Sequence, residues 1–269
     1  MAGKREPVKI GLFGIGLETY WDQFEGLFEK LKSYQTIISE KIKSFGVELI
    51  DAGMVDNPEK AQKAANFLKT QDVEILFLYV STYALSSTVL PIAQKLKIPI
   101  IILNLQPVAQ LDYNKFNALN DRGIKTGIWL EHCQACSVPE IANVFIRSGI
   151  NYEIVTGFLN DKEAWEEIKC WTDAAKVAHA IRNNRMGILG HYYGGMLDVY
   201  TDLTKLSSTF GTHFEILEMC ELKKLRDLVS EKEIETKISE FNSVFEIVPD
   251  CVENEIIRAA QTSVALDYL

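Results

Sequence analysis

Continuous apolar runs alternate with helical patterns through the first 160 residues of the chain. VKIGLFGIG (8–16), VEILFLYVS (73–81) and IPIIILNLQ (98–106) are apolar almost throughout, as strands buried on both faces of a parallel sheet must be. FGVELIDAG (45–53) and NYEIVTGF (151–158) predict two further strands. Between these runs, apolar residues recur at helical spacing over 21–43, 58–70, 86–97 and 137–149. Pro58 and Pro91 fall in the first turns of their helices, where a missing amide proton leaves no bond unmade. The rhythm of strand, helix, strand, helix predicts an α/β fold with a doubly wound parallel sheet.

One stretch breaks the rhythm. Residues 107–130 carry Asp112, Asn114, Asn117, Asn120, Asp121, Arg122 and Gly123, and they predict a long loop of the functional or interfacial kind. Beyond it, 161–184 predicts one amphipathic helix, and RMGILGHYYGGM (185–196) restarts the pattern like a new first strand. FEILEM (214–219) and FEIVPD (245–250) predict two more strands. The expectation is a Rossmann/flavodoxin-like N-terminal domain over 1–184, then a second, incomplete α/β domain over 185–269. A parallel sheet of three strands would leave apolar edges and faces uncovered, so the second domain is expected to be truncated or to need a partner surface.

Composition narrows the classes. Apolar residues make up 47% and charged residues 24%, ordinary for a globular protein. A net charge of −9 argues against a broadly basic nucleic-acid surface. The charged start and short apolar run of MAGKREPVKIGLFGIG predict a first strand rather than a signal peptide, and no run approaches the ~18 apolar residues of a membrane span. Five scattered cysteines without a secretory signal predict reduced thiols and a cytoplasmic location.

In open α/β sheets, ligands sit beyond the carboxyl ends of the strands. The segments that leave those ends are GIGLETYW (14–21), DAGMVD (51–56), STYALSS (81–87), LQPVAQLDY (105–113) and GHYYGGMLD (190–198). They are rich in hydroxyls, aromatics, amides and carboxylates, a mixture suited to polyols and sugars. A dinucleotide site finds little support, because the third glycine of G-x-G-x-x-G falls on Thr19, and there is no G-x-x-x-x-G-K-[ST]. His191, with Tyr192, Tyr193, two glycines and Met196, sits at a strand end where the backbone can approach a ligand. His179 and His213 read as structural or solvent-exposed, and Glu166/Glu167 and Glu231/Glu233/Glu235 as solvated helix faces. No metal-ligand spacing is present.

CQACSVPEIANVF (133–145) raises a separate question. Cys133 and Cys136 form a C-x-x-C pair beside His132. A zinc site would need two more ligands. A redox dithiol would need a helix start to lower a thiol pKa. A third reading begins at Ser137, where Ser137-Val138-Pro139-Glu140 has the form of an S-x-x-E capping box that starts a helix at that point.

Together, VSTYALSSTVLP, LNLQPVAQLDY, CQACSVPEIANVF and GHYYGGMLDVYTDLT resemble, in order, the landmarks of the L-arabinose isomerase family within the wider L-fucose/L-arabinose isomerase group. The resemblance runs over essentially the whole chain and is to a divergent branch. It implies an aldose–ketose isomerase that uses Mn²⁺, held by two glutamates and two histidines, with carboxylates moving a proton between C1 and C2. In the family those four residues lie beyond the region matched here, so this chain alone is expected to be inactive. The resemblance also implies a homo-oligomer, a hexamer in the family, whose sugar pocket crosses a subunit interface. Tyr20 takes the place of a family tyrosine, Met196 that of a pocket methionine, and Cys136 that of a sugar-contacting histidine in H-G-G-R-E, of which Glu140 is the kept glutamate. The substrate-contacting candidates are Glu18, Tyr20, Tyr83, Gln106, Gln134, Cys136, His191 and Met196, with no catalytic or metal residue in the chain and a pentose or deoxyhexose as ligand. The alternative is a non-catalytic sugar-binding or sensor module of two α/β domains.

Overall fold

A computed structural model describes residues 6–269. The first five residues, whose charges enter the reading of the chain start, lie outside the described residues. The chain divides into two compact units, Met1–Ala180 and Ile181–Leu269.

In the first unit the elements follow in order. They are β1 (Lys9–Ile15), a 3₁₀ turn (Glu18–Tyr20), α1 (Leu27–Lys43), β2 (Glu48–Val55), α2 (Pro58–Gln71), β3 (Ile75–Val80), a second 3₁₀ turn (Ser86–Thr88), α3 (Leu90–Leu96) and β4 (Ile100–Gln106). Then come α4 (Tyr113–Ala118), α5 (Arg122–Glu131), α6 (Gln134–Arg147), β5 (Tyr152–Phe158) and α7 (Lys162–Arg182). The five strands are parallel in the order β2-β1-β3-β4-β5, the doubly wound, flavodoxin-like arrangement.

Strand alternation divides the core into two layers. Leu76, Leu78 and Val80 of β3 face Ala61, Ala65 and Leu68 of α2, Ile92 of α3 and Phe145 of α6. Ile75, Phe77 and Tyr79 face Ile38 and Ile42 of α1 and Trp165 and Ile168 of α7. Both faces are covered, which is why β3 is apolar at every position. Strand β1 carries glycine where α1 comes closest. A Cβ on Gly14 would lie 2.2 Å from Gln35 Oε1 of α1. Beside it, β2 bulges between its pairings with Leu12 and Gly14. Gly53 takes a φ of 74° there, and its N–H reaches Asp51 Oδ1 at 2.8 Å, a geometry that favours glycine.

Three sequence expectations need correction. The predicted 107–130 loop is mostly helical: Asp112 caps α4 through the Lys115 N–H at 3.1 Å, and Asp121 caps α5 through the Ile124 N–H at 2.8 Å. The polar residues that suggested a loop include the caps that begin the helices. The second correction concerns the capping box at Ser137–Glu140. Helix α6 begins one turn earlier, with Cys133 as its N-cap and Pro139 inside it. Ser137 and Glu140 are bonded to the chain after β3 instead. Finally, 245–250 carries no strand, and Phe245 and Val248 are exposed.

The second unit contains β6 (Arg185–Leu189), a 3₁₀ turn (Leu197–Val199), α8 (Leu203–Phe210), β7 (His213–Leu217), α9 (Met219–Leu228), α10 (Glu231–Val244) and α11 (Glu253–Asp267). Strands β6 and β7 pair in parallel from Arg185↔His213 to Leu189↔Leu217. Gly211, at a φ of 77°, ends α8. Helix α10 opens on a capping box. The Ser230 hydroxyl accepts from the Glu233 N–H, and Glu233 accepts from the Ser230 N–H at 2.9 Å. Among the described residues no helix is long and apolar enough to cross a membrane.

Two outcomes follow from this packing. Gly14→Ala should displace Gln35 and destabilise the first unit by about 1–3 kcal/mol, seen as a lower thermal midpoint; an unchanged midpoint would mean that α1 does not rest on β1 as described. In the second unit, hydrogen bonds from Ser230 and then Tyr268 hold the Glu233 carboxyl at about 2, below its ordinary 4.5. Its stabilisation is therefore present above about pH 4.5 and lost as the pH falls through about 2. Glu233→Gln should flatten that part of the acid-unfolding curve read by circular dichroism.

Candidate functional site

The sheet order places the switch point between β1 and β3, where successive connections leave on opposite sides. Three segments converge on its carboxyl edge.

The first follows β1. Gly16 permits the Trp21 ring to fold back; a Cβ there would lie 2.7 Å from it. The Trp21 indole Nε1 donates to Asp56 Oδ2 at 2.8 Å, and Lys60 Nζ reaches the same oxygen at 2.8 Å. Asp56 follows β2 with its side chain wholly buried. The other oxygen, Oδ1, is buried without a hydrogen-bond partner among the described residues. Asn57 next to it caps α2 through the Lys60 N–H at 2.9 Å and donates from Nδ2 to Glu18 Oε1 at 2.9 Å. The β1 turn is thus stapled to the end of β2.

The second segment follows β3, and the third is the α5–α6 corner. Ser81 Oγ donates to the Ile15 carbonyl at 2.6 Å, tying β3 to β1. Thr82 Oγ1 donates to the Leu130 carbonyl at 2.7 Å, and the Ala84 N–H donates to Ser137 Oγ at 2.8 Å. Glu140 accepts from the Ser86 N–H at 3.1 Å and from the Ser86 hydroxyl. Gln134 Nε2 donates to the carbonyls of Ser81, at 3.0 Å, and Glu131, at 2.6 Å. Buried backbone groups at this edge are therefore satisfied largely by side chains.

Beside this edge, a cavity of 570 Å³ opens between the start of α1 and α5, lined by Gln23, Phe24, Lys30, Ile124, Ile128 and Glu131 among others. Buried Glu131 accepts from Lys30 Nζ at 2.7 Å and from the Tyr34 hydroxyl. Burial first, then the Glu131 hydrogen bond, pushes the Tyr34 phenol up. Burial also pushes Tyr79 up.

The sequence candidates are distributed unevenly. Tyr20 lies in the turn after β1, and its phenol is pushed up by burial, then electrostatically by Tyr83 and Cys133. Glu18 lies exposed at the rim with Asn57. Cys136 is exposed in the first turn of α6, while Gln134 is wholly buried beneath the β3 segment. Gln106 ends β4 half-buried, its carbonyl accepting from the Leu159 N–H at 2.8 Å. His191 and Met196 belong to the second unit, in an exposed segment after β6, where the Tyr192 and Tyr200 rings pack 5.4 Å apart.

Trp21, Asn57, Lys60, Glu131, Ser137 and the side-chain role of Asp56 have no place among the sequence candidates. Asn57-Pro58 was a legible helix start, but a cap does not reveal that its carboxylate neighbour holds an indole 35 residues away. The Mn²⁺ implied by the resemblance does not fit here: among the described residues, no group of three or more His, Cys, Asp or Glu side chains could hold a metal ion.

The arrangement offers three aromatic rings, an exposed carboxylate and an amide on a turn held in place from below. Such an edge can stack against C–H faces and accept from hydroxyls. Compared with known proteins, the chain matches no family model and no curated protein. The resemblance to the isomerase family rests on the quoted segments.

Asp56→Ala should free the Trp21 ring and leave its indole N–H without its buried partner, costing about 1–3 kcal/mol. The expected sign is a red-shifted Trp21 emission relative to a Trp21→Phe control, with a lowered thermal midpoint. Unchanged emission would remove Asp56 as the holder of this turn.

Proposed function

We propose that the first unit binds a pentose, a 6-deoxyhexose or a related polyol at the carboxyl edge of its sheet, as the sugar-recognition part of an aldose–ketose isomerase of the arabinose/fucose isomerase type. The observation that carries the reading is the Trp21 turn after β1 locked by Asp56, with Tyr20 in the same turn and exposed Tyr83 on the segment after β3. Tyr20 and Tyr83 supply ring faces for the sugar's C–H surface, and Glu18 and Asn57 supply polar groups at the rim.

In this reading the chain's own residues bind and orient; they move no proton between carbons. The reading includes a cytoplasmic homo-oligomer. The oligomer is supported by the exposed apolar side chains Val108, Tyr113, Ile124 and Trp129, all within the excursion between β4 and α6, which a second copy could cover.

The test is titration of the full chain with L-arabinose, L-fucose, D-ribose and their alditols, followed by Trp21 emission and by chemical-shift changes. At least one should give a saturable response, and Tyr83→Ala should weaken it about tenfold, ~1.4 kcal/mol. No response to any of them from a folded chain would overturn the proposal.

A further inference from the structure

The displaced start of α6 changes the meaning of the C-x-x-C pair. Cys133 is the N-cap of the helix and Cys136 lies in its first turn. The Cys136 N–H donates to the Cys133 carbonyl at 3.3 Å, and the Cys133 N–H donates to the Leu130 carbonyl at 3.2 Å, so both backbones are fixed. Residues three apart in a helix lie about 5 Å apart at Cα, within the range a disulfide spans. The two thiols differ in exposure: Cys136 is open to solvent and Cys133 is buried. The other cysteines, Cys170, Cys220 and Cys251, are exposed and lie on other segments.

We propose that Cys133 and Cys136 are a redox modification site that closes to an intramolecular disulfide when a hydroperoxide reaches Cys136. The chemistry balances in two steps. The Cys136 sulfur attacks one peroxide oxygen, the O–O bond breaks, an alcohol or water leaves, and Cys136 becomes a sulfenic acid. The Cys133 sulfur then attacks the Cys136 sulfur, the S–O bond breaks, and water leaves with the Cys133 thiol proton. Two electrons pass from the thiol pair to the peroxide. A dithiol reductant reverses the bond by exchange.

The division of labour follows from burial. The exposed sulfur meets the oxidant, and the buried one resolves the sulfenic acid before further oxidation. Burial first, then Cys136, pushes the Cys133 thiol up, and the exposed Cys136 is the sulfur an oxidant reaches first. The ring would enclose the anchor Gln134 and abut the anchor Ser137, which hold the β3 segment. The site therefore lies in the wall of the proposed sugar edge, but its formation does not depend on that reading.

The test uses the full chain treated with a small excess of hydrogen peroxide. Two of the five thiols should disappear, with a loss of about 2 Da, in a monomer that dithiothreitol restores. Cys136→Ser, an exposed change, should abolish the −2 Da species and keep the native circular dichroism; Cys133→Ser should leave Cys136 to overoxidise. A −2 Da species that persists in Cys136→Ser would overturn the proposal. So would a wild type that gains oxygen at Cys136 without losing those two protons, or one that forms only intermolecular dimers. These readouts involve no sugar, so a failed sugar titration leaves this result intact.

Discussion

Where β1 and β3 end side by side, the strand ladder runs out, and the candidate site depends on how the buried backbone groups beyond it are paired. The Ile15 carbonyl accepts from both the N–H and the hydroxyl of Ser81, the Leu130 carbonyl from the Cys133 N–H and the Thr82 hydroxyl, while the Ala84 N–H is taken by Ser137 and the Ser81 carbonyl by Gln134. An unpaired buried group costs about 1–3 kcal/mol, so these short side chains fix the path of the chain beyond β3 and its contact with the α5–α6 corner. The same logic acts on the other side of β1, where Asp56 holds both Trp21 and Lys60. The turn that would face a ligand is thus held by polar groups beneath it, while its upper surface stays free for recognition.

That arrangement separates two kinds of residue which look alike along the chain. Gln134 is polar and near the strand ends, yet it is wholly buried and its amide donors go to backbone carbonyls. Tyr83 is partly exposed at the same edge. The C-x-x-C pair spans both conditions, with one sulfur beneath the surface and one on it. A redox centre in this place would couple the chemical state of the corner to the segments it anchors.

The second unit follows a weaker version of the same plan. Its two parallel strands are partly exposed, and Met186 and Ile216 face solvent. Helices α9, α10 and α11 bury a small set of residues, including Leu222, Ala260 and Val264. His191 and Met196 lie on the segment after β6, the position where a doubly wound sheet presents its ligand loops.

The sequence by itself determined the first unit's class and most of its element positions, because a sheet buried on both faces demands apolar runs that no other structure here explains. It also marked the strand-end segments as the place for chemistry. Tertiary structure decided what the local patterns left ambiguous. Ser137 and Glu140 have the spacing of a capping box, but their oxygens are committed to Ala84 and Ser86, so the helix starts a turn earlier. The Asp- and Asn-rich stretch after β4 became two capped helices. FEIVPD has a strand's composition but joins no sheet. Trp21 and Asp56 meet across 35 residues of chain, a contact that no local periodicity encodes. Periodicity reports which face of an element is buried; only packing determines which distant group satisfies each polar atom there.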